Sequence, residues 1–252
     1  MNNIKLVIEY DGTNYAGWQQ QKKEKTVQET LKKAVENVVN EKITLYGSGR
    51  TDAGAHALGQ VANFKTKSNI PTSKLVQAIN FYLPNDIVVK SARKVSGEFH
   101  SQYSTKSKIY RYTILNNNTG SAINRNFCYY YSGDLNIEKM QKVSKTLVGR
   151  HDFSAFKSKS DNACPTNSFR RVSNIRTIKK LEIKKNGKHL LFTIEADGFL
   201  YKMVRSIVGT LLEVGKGKMT ITEFKRVSRS GIRSFAGATV PAKGLCLLKV
   251  KY

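Results

Sequence analysis

The sequence predicts an α+β protein made of two sheet-plus-helix halves. Three observations carry that prediction. Runs that alternate apolar and polar residues with period two recur in both parts of the chain. Each part also holds at least two runs whose apolar residues fall on one helical face. A short polar stretch, "HSQYSTKS" at 100–107, separates them. The expected division is therefore 1–103 and 104–252, without a residue-level repeat.

In the first half, Ile4, Leu6, Ile8 and Tyr10 alternate as a strand, followed by the turn-rich "DGTNYAGWQQQ". "TVQETLKKAVENVV" reads as a helix: Thr26 and Glu29 have capping-box spacing, and Val27, Leu31, Ala34, Val35 and Val38 share a face. "LGQVANFKT" is a strand, "SKLVQAINFYL" a helix stopped by Pro84, and "DIVVKSARKV" a strand. In the second half, "KIYRYTILN" (108–116) alternates as a strand. "NIEKMQKVSKTLVG" is a helix with Asn136 as N-cap and Gly149 past its end. "IRTIKKLEIKK" and "HLLFTIEA" flank Asn186-Gly187, a hairpin signal. "LYKMVRSIVGTLLEV" is a helix striped by Leu200, Met203, Val204, Ile207, Val208 and Leu211, and "GLCLLKVKY" closes as a strand. The strands of both halves read as antiparallel.

Of the 252 residues, 40% are hydrophobic and only 4 are proline, which excludes an intrinsically disordered chain. Lys and Arg number 43 against 18 Asp and Glu, a formal net charge of +25. Such a field attracts polyanions, and nucleic acid is the commonest. The cysteines Cys128, Cys164 and Cys246 are far apart, so neither a zinc knuckle nor a disulfide framework is expected, and a reducing cytosol fits. "MNNIKLVIEY" has no signal-peptide pattern, and no apolar run approaches the ~20 residues of a membrane span.

The chemistry concentrates in residues 47–55, "GSGRTDAGA". Gly47, Gly49 and Gly54 allow positive φ and close approach to a ligand. Arg50 can hold Asp52 ionised, and an oriented carboxylate serves as nucleophile or base. The spacing is not that of a nucleotide P-loop. Asp11 in "EYDGT" lacks the partner acid of a phosphatase motif, because Glu9 stands where that acid belongs. His56, four residues after Asp52, reads as structural. The four histidines are scattered, and the His151-Asp152 pair alone is too little for a metal site. Tyr110 and Tyr112 share a strand face; either they are core residues or one ring stacks on a base, with Lys108 and Arg111 beside them. Arg205 interrupts an apolar helix face and needs a partner: a surface acid, or Asp52 across a cleft between the halves.

Together these segments resemble a known family. "GRTDAGAHA" with "GQVANF" closely resembles the signature loop of the tRNA pseudouridine synthase A family. "YDGTNYAGWQQQ", "SKIYRYTI", "LVGRHDFSAF", "GFLYKMVRSIVGTL" and "VPAKGLCLLKVKY" resemble its other blocks in order. The resemblance implies two RNA-recognition-like halves forming a pseudouridine synthase fold with a central cleft. It implies isomerisation of uridine to pseudouridine at positions 38, 39 and 40 of the tRNA anticodon stem-loop, after base flipping, by a cytoplasmic homodimer with neither cofactor nor metal. Asp52 is then the catalytic aspartate, Arg50 and Arg205 its basic neighbours, Tyr110 the ring stacked on the target base, and Leu245 a pocket wall.

The chain departs from the pattern at three places. Ala55 stands for the usual Val, Asn63 for the usual His, and Gln102 where an arginine is expected. The rival readings are a paralogue acting on another uridine and a non-catalytic RNA-binding protein or chaperone. The Asp52 loop separates the catalytic readings from the binding-only one, since binding alone needs no ionised acid beside the base. A metal-dependent phosphohydrolase would need clustered acids and histidines.

Overall fold

Ile4, Leu6, Ile8 and Tyr10 all point into the core, and the residues between them are mostly half-exposed, so the first strand has one covered face. A computed structural model describes residues 1–158 and 173–252. Its strands and helices follow the order β1 (Asn2–Tyr10), α1 (Val27–Val39), β2 (Tyr46–Gly47), β3 (His56–Thr66), α2 (Thr72–Tyr82), β4 (Ile87–Val95), β5 (Ser107–Asn116) and β6 (Tyr129–Tyr131). They continue with α3 (Ile137–Ser144), β7 (Gly149–Asp152), β8 (Ile175–Asn186), β9 (His189–Ala196), α4 (Met203–Gly215), α5 (Ile221–Ser230) and β10 (Leu245–Lys251). The protein is α+β. It divides into two compact units, Met1–Ile109 with Leu245–Tyr252, and Tyr110–Gly244.

In the first unit the strand order is β4-β1-β3-β10, and β2 pairs with β3. β1 lies antiparallel to both β3 and β4, in registers that include Leu6↔Ala62 and Leu6↔Ala92. α1 starts where the capping residue demands: the Thr26 hydroxyl accepts from the Glu29 amide at 3.4 Å. Val27, Leu31, Ala34 and Val35 are its buried stripe. Val38, expected on the same face, is half-exposed in the last turn. α2 contributes Leu75 and Ile79 to the core around Leu6, Ile8 and Phe64. β3 is buried along nearly its whole length rather than on alternate residues. Its second face is covered by the segment after β4, to which Asn63 is tied: the Ser101 amide donates to Asn63 Oδ1 at 2.8 Å, and Asn63 Nδ2 donates to Asn3 Oδ1 at 3.0 Å.

The second unit has the order β5-β9-β8-β7, with β6 on β5. The Asn186-Gly187 hairpin forms as expected, with Gly187 at φ 56°. Helix α3 is shorter than its sequence pattern: it ends at Ser144, a 3₁₀ turn covers Lys145–Leu147, and Gly149 lies in β7 at φ 109°. Helix α4 starts only at Met203, after Lys202 takes the left-handed conformation. Phe153, Phe156, Phe192, Ile207, Leu211 and Phe224 are fully buried and anchor this core. Full burial of such a side chain is worth about 1.5–3 kcal/mol.

Two further features differ from the sequence expectation. Not every pair is antiparallel: β10 runs parallel to β3 through Cys246↔His56 and Leu247↔Ala57, and β6 runs parallel to β5. Helix α5 was not expected, although it carries a complete signal. Thr220 and Glu223 form a reciprocal capping box, and Gly231 closes the helix in the left-handed conformation. Cys128 is a free thiol, and Cys164 lies outside the described residues. Among the described residues no helix is long and apolar enough to cross a membrane. Replacing Thr220 by Ala removes the hydroxyl half of the box and leaves the backbone amide at 220 donating to Glu223, and urea unfolding should then show a loss of about 1 kcal/mol.

Candidate active site

The loop "GSGRTDAGA" is held from two sides within the first unit. One side is the turn-rich segment after β1. The Trp18 amide donates to the Thr51 carbonyl at 3.1 Å, and the Gly54 amide donates to the Tyr15 carbonyl at 3.3 Å. The Tyr10 and Thr51 hydroxyls are 2.7 Å apart in a buried pair. Two glycines make this approach possible. Gly17 has φ 93°, and a Cβ there would sit 2.5 Å from the Thr51 carbonyl oxygen. A Cβ at Gly12 would overlap the Ala55 carbonyl oxygen. The other side is β3. Gln60 is fully buried; its Oε1 accepts from the Ser48 hydroxyl at 2.7 Å and its Nε2 donates to the Gly49 carbonyl at 2.9 Å. Burial without partners would be costly for these amide and hydroxyl groups, so the network fixes one loop conformation.

Asp52 sits between these anchors, half-exposed, with its own carbonyl accepting from the Ala55 amide at 3.1 Å. Arg50 is exposed. Ala55 is 1% exposed, so this smaller residue lies in packed surroundings. His56 is structural. It is buried, and its Nδ1 lies 3.1 Å from the Gly12 amide and 3.0 Å from Asp11 Oδ1. Deprotonated, that nitrogen accepts the amide; protonated, it donates to the carboxylate. Either way it ties the Asp11 turn to β3. Asp11 itself accepts from the Thr13 amide and hydroxyl, as a turn-forming acid does. Leu245 is 6% exposed and stands one residue before the Cys246↔His56 pair.

Lys108 is a participant that the sequence showed only as a basic neighbour of Tyr110. Its ammonium lies over Gly49, 2.6 Å from where a Cβ would be. Among the described residues it makes no hydrogen bond or ion pair. Burial lowers its pKa from 10.5 to about 8. The anchoring by Gln60, Trp18 and the two glycines was equally invisible, because close approach between distant segments leaves no spacing signal.

In the second unit, Tyr110 is 6% exposed, with its ring edge-on to Phe199 at 5.0 Å between centroids. Tyr112 is a core residue whose hydroxyl donates to the Pro241 carbonyl at 2.7 Å; burial raises its pKa. Arg205, in the first turn of α4, is half-buried, and its Nε donates to the Val240 carbonyl at 2.8 Å. Asp152 accepts from the Ser154 amide and hydroxyl, which makes it a turn residue. Among the described residues no group of three His, Cys, Asp or Glu is placed to hold a metal ion.

The position of Lys108 has a measurable consequence. Its folded pKa lies below the unfolded one, so the penalty for burying its charge is complete below about pH 8 and disappears as pH rises towards 10.5. Melting curves should show Lys108→Met above wild type at pH 7, with the gap closing between pH 8 and 10.5. A gap independent of pH would mean that the ammonium is not buried.

A family model described as tRNA pseudouridine synthase matches residues 6–104 and 143–252. A tRNA pseudouridine synthase A from Thermoanaerobacter sp. (strain X514) is 49% identical over the whole length of both chains. Those of Clostridium kluyveri and Acetivibrio thermocellus are 48% and 47% identical, again end to end. The matched segments contain the anchored Asp52 loop, its glycine supports and Arg205, and on these grounds the chain belongs to the tRNA pseudouridine synthase family.

Proposed function

We propose that the chain isomerises uridine to pseudouridine at positions 38, 39 and 40 of the tRNA anticodon stem-loop, with Asp52 as the catalytic carboxylate. The observation that carries this reading is the half-exposed acid in a loop fixed by buried hydrogen bonds on both sides. A carboxylate that only coats a surface needs no such mounting. The glycines bring two backbone segments together and leave the reacting face of the loop without bulk.

A uridine stacked in a helix end must leave the stack to be reached, at a cost of a few kcal/mol. Arg50, exposed beside Asp52, fills the vacated space or holds a phosphate. Lys108 supplies a second cation behind Gly49. Tyr110 stacks on the flipped base, Leu245 closes the pocket, and Arg205 is the other basic group of the site. Asp52 promotes cleavage of the C1′–N1 bond. The uracil rotates, C5 bonds to C1′, C5 gives up its proton and N1 gains one, so substrate and product are isomers. Two chemistries suit a carboxylate here: attack on C1′, or removal of a ribose proton. Both require that water be kept out, since water attacking C1′ leaves an abasic site. No step calls on a cofactor. The reading includes a cytoplasmic homodimer, whose two chains can engage one tRNA.

Unmodified tRNA carrying [5-³H]uridine tests the reading, because forming the C5 bond expels that hydrogen. Wild type should release tritium. Asp52→Asn should lower the rate by at least about a hundred-fold while tRNA binding survives. Substituting cytidine at 38, 39 and 40 should remove the release; release that persists would move the target elsewhere. Binding should weaken at least ~10-fold between ~50 and ~200 mM salt, as counterion release from several phosphates requires. A salt-insensitive affinity would argue against phosphate contacts.

A further inference from the structure

Three rings lie in a row on the surface of the first unit, outside the site described above. Tyr46 and His100 have centroids 4.7 Å apart, and His100 and Tyr103 stack at 4.3 Å with 29° between their planes. Tyr103 is 80% exposed and Tyr46 42%. A single exposed tyrosine is ordinary. A row of one tilted and one stacked ring pair ending in an almost bare ring is not, because water gains nothing from it and the core does not use it.

The row is also held rigid. His100 Nδ1 accepts from the amides of Gln102 and Tyr103, at 3.2 and 3.4 Å, and the His100 carbonyl accepts from the Ser104 amide at 2.9 Å. Ser101 clamps this turn. Its hydroxyl donates to the Tyr46 carbonyl at 2.6 Å, its amide donates to Asn63, and its carbonyl accepts from the Tyr252 hydroxyl at 2.9 Å. The outer ring is thus pre-ordered, so a planar ligand stacking on it pays little for fixing the side chain. Tyr46 belongs to β2, which leads directly into the loop of Arg50 and Asp52. On a chain of net charge +25, the planar ligand that also brings negative charge is a nucleotide.

We propose that the Tyr46–His100–Tyr103 row is a stacking platform for an unpaired nucleobase of the RNA substrate, distinct from the base that reacts. Any base fits its π-face, so the platform places the RNA beside the Asp52 loop without reading sequence. The proposal rests on the reading of the chain as an RNA-modifying enzyme.

The test uses full-length protein and anticodon stem-loop RNA with 2-aminopurine scanned through its unpaired positions. Wild type should quench at one position outside the target uridines, and Tyr103→Ala should abolish that quench. Tyr103→Ala should also raise KM roughly ten-fold with kcat within about two-fold, and Tyr103→Phe should restore both signals. Circular dichroism should be unchanged, given the exposure of the ring. Quenching at no position, equal loss in the Ala and Phe variants, or an unchanged KM overturns the platform. A shift in the sedimentation of the free Tyr103→Ala protein with RNA binding intact also overturns it, assigning the rings to a protein contact. Failure of wild type to bind or isomerise tRNA would instead overturn the proposed function, so the two failures are distinguishable.

Discussion

The candidate site depends on how closely two backbone segments approach. Where Gly17 meets Thr51 and Gly12 meets Ala55, no side chain fits, and the carbonyl groups of one segment lie within hydrogen-bonding reach of the amides of the other. The loop around Asp52 is glycine-rich and has little stiffness of its own. Rigidity is lent to it by its neighbours: Trp18 and Tyr15 through the main chain, Tyr10 through a buried hydroxyl pair, and Gln60 through a fully buried amide. The usual opposition between a flexible loop and a precise site is resolved by contact rather than composition.

The same logic explains the uneven burial of the first unit. β1 alternates as a strand with one covered face does, whereas β3 is buried almost throughout. β3 supports the Asp52 loop with Gln60 on one residue and receives the Ser101 turn on Asn63 three residues later. A sequence departure at Asn63 is therefore also a matter of how the 99–104 turn is mounted, since Asn63 holds Ser101 by its side-chain oxygen and Asn3 by its nitrogen.

Much of this was legible in the residues. Period-two and period-3.6 patterns identified the long strands and four of the helices, because those elements bury one face and the pattern records it. The edges of elements were less legible: Lys202 and the turn at Lys145–Leu147 shorten α4 and α3 for reasons that lie in tertiary packing. The short strands β2, β6 and β7 carry too few residues for a period. Helix α5 is legible at its ends, where Thr220 and Glu223 announce it and Gly231 closes it, although its pattern was not part of the expectation. At the site, Asp52 stood out through its glycines and Arg50. Lys108 did not, because its role comes from where its ammonium lies relative to Gly49, and the chain order hides that proximity.

The parallel pairing of β10 with β3 places a temporal demand on the protein as it is made. β10 lies far downstream of β3, with the whole of the second unit encoded between them. A ribosome moving from the N-terminus delivers β1, β3 and the Asp52 loop early, yet the edge of β3 beside His56 has no partner until Cys246 and Leu247 emerge. Non-local pairing of this kind is slow, and an open strand edge is adhesive in the meantime. The unit bearing the proposed catalytic acid is thus begun before the second unit and closed after it, so it stays unsealed while the second unit is made.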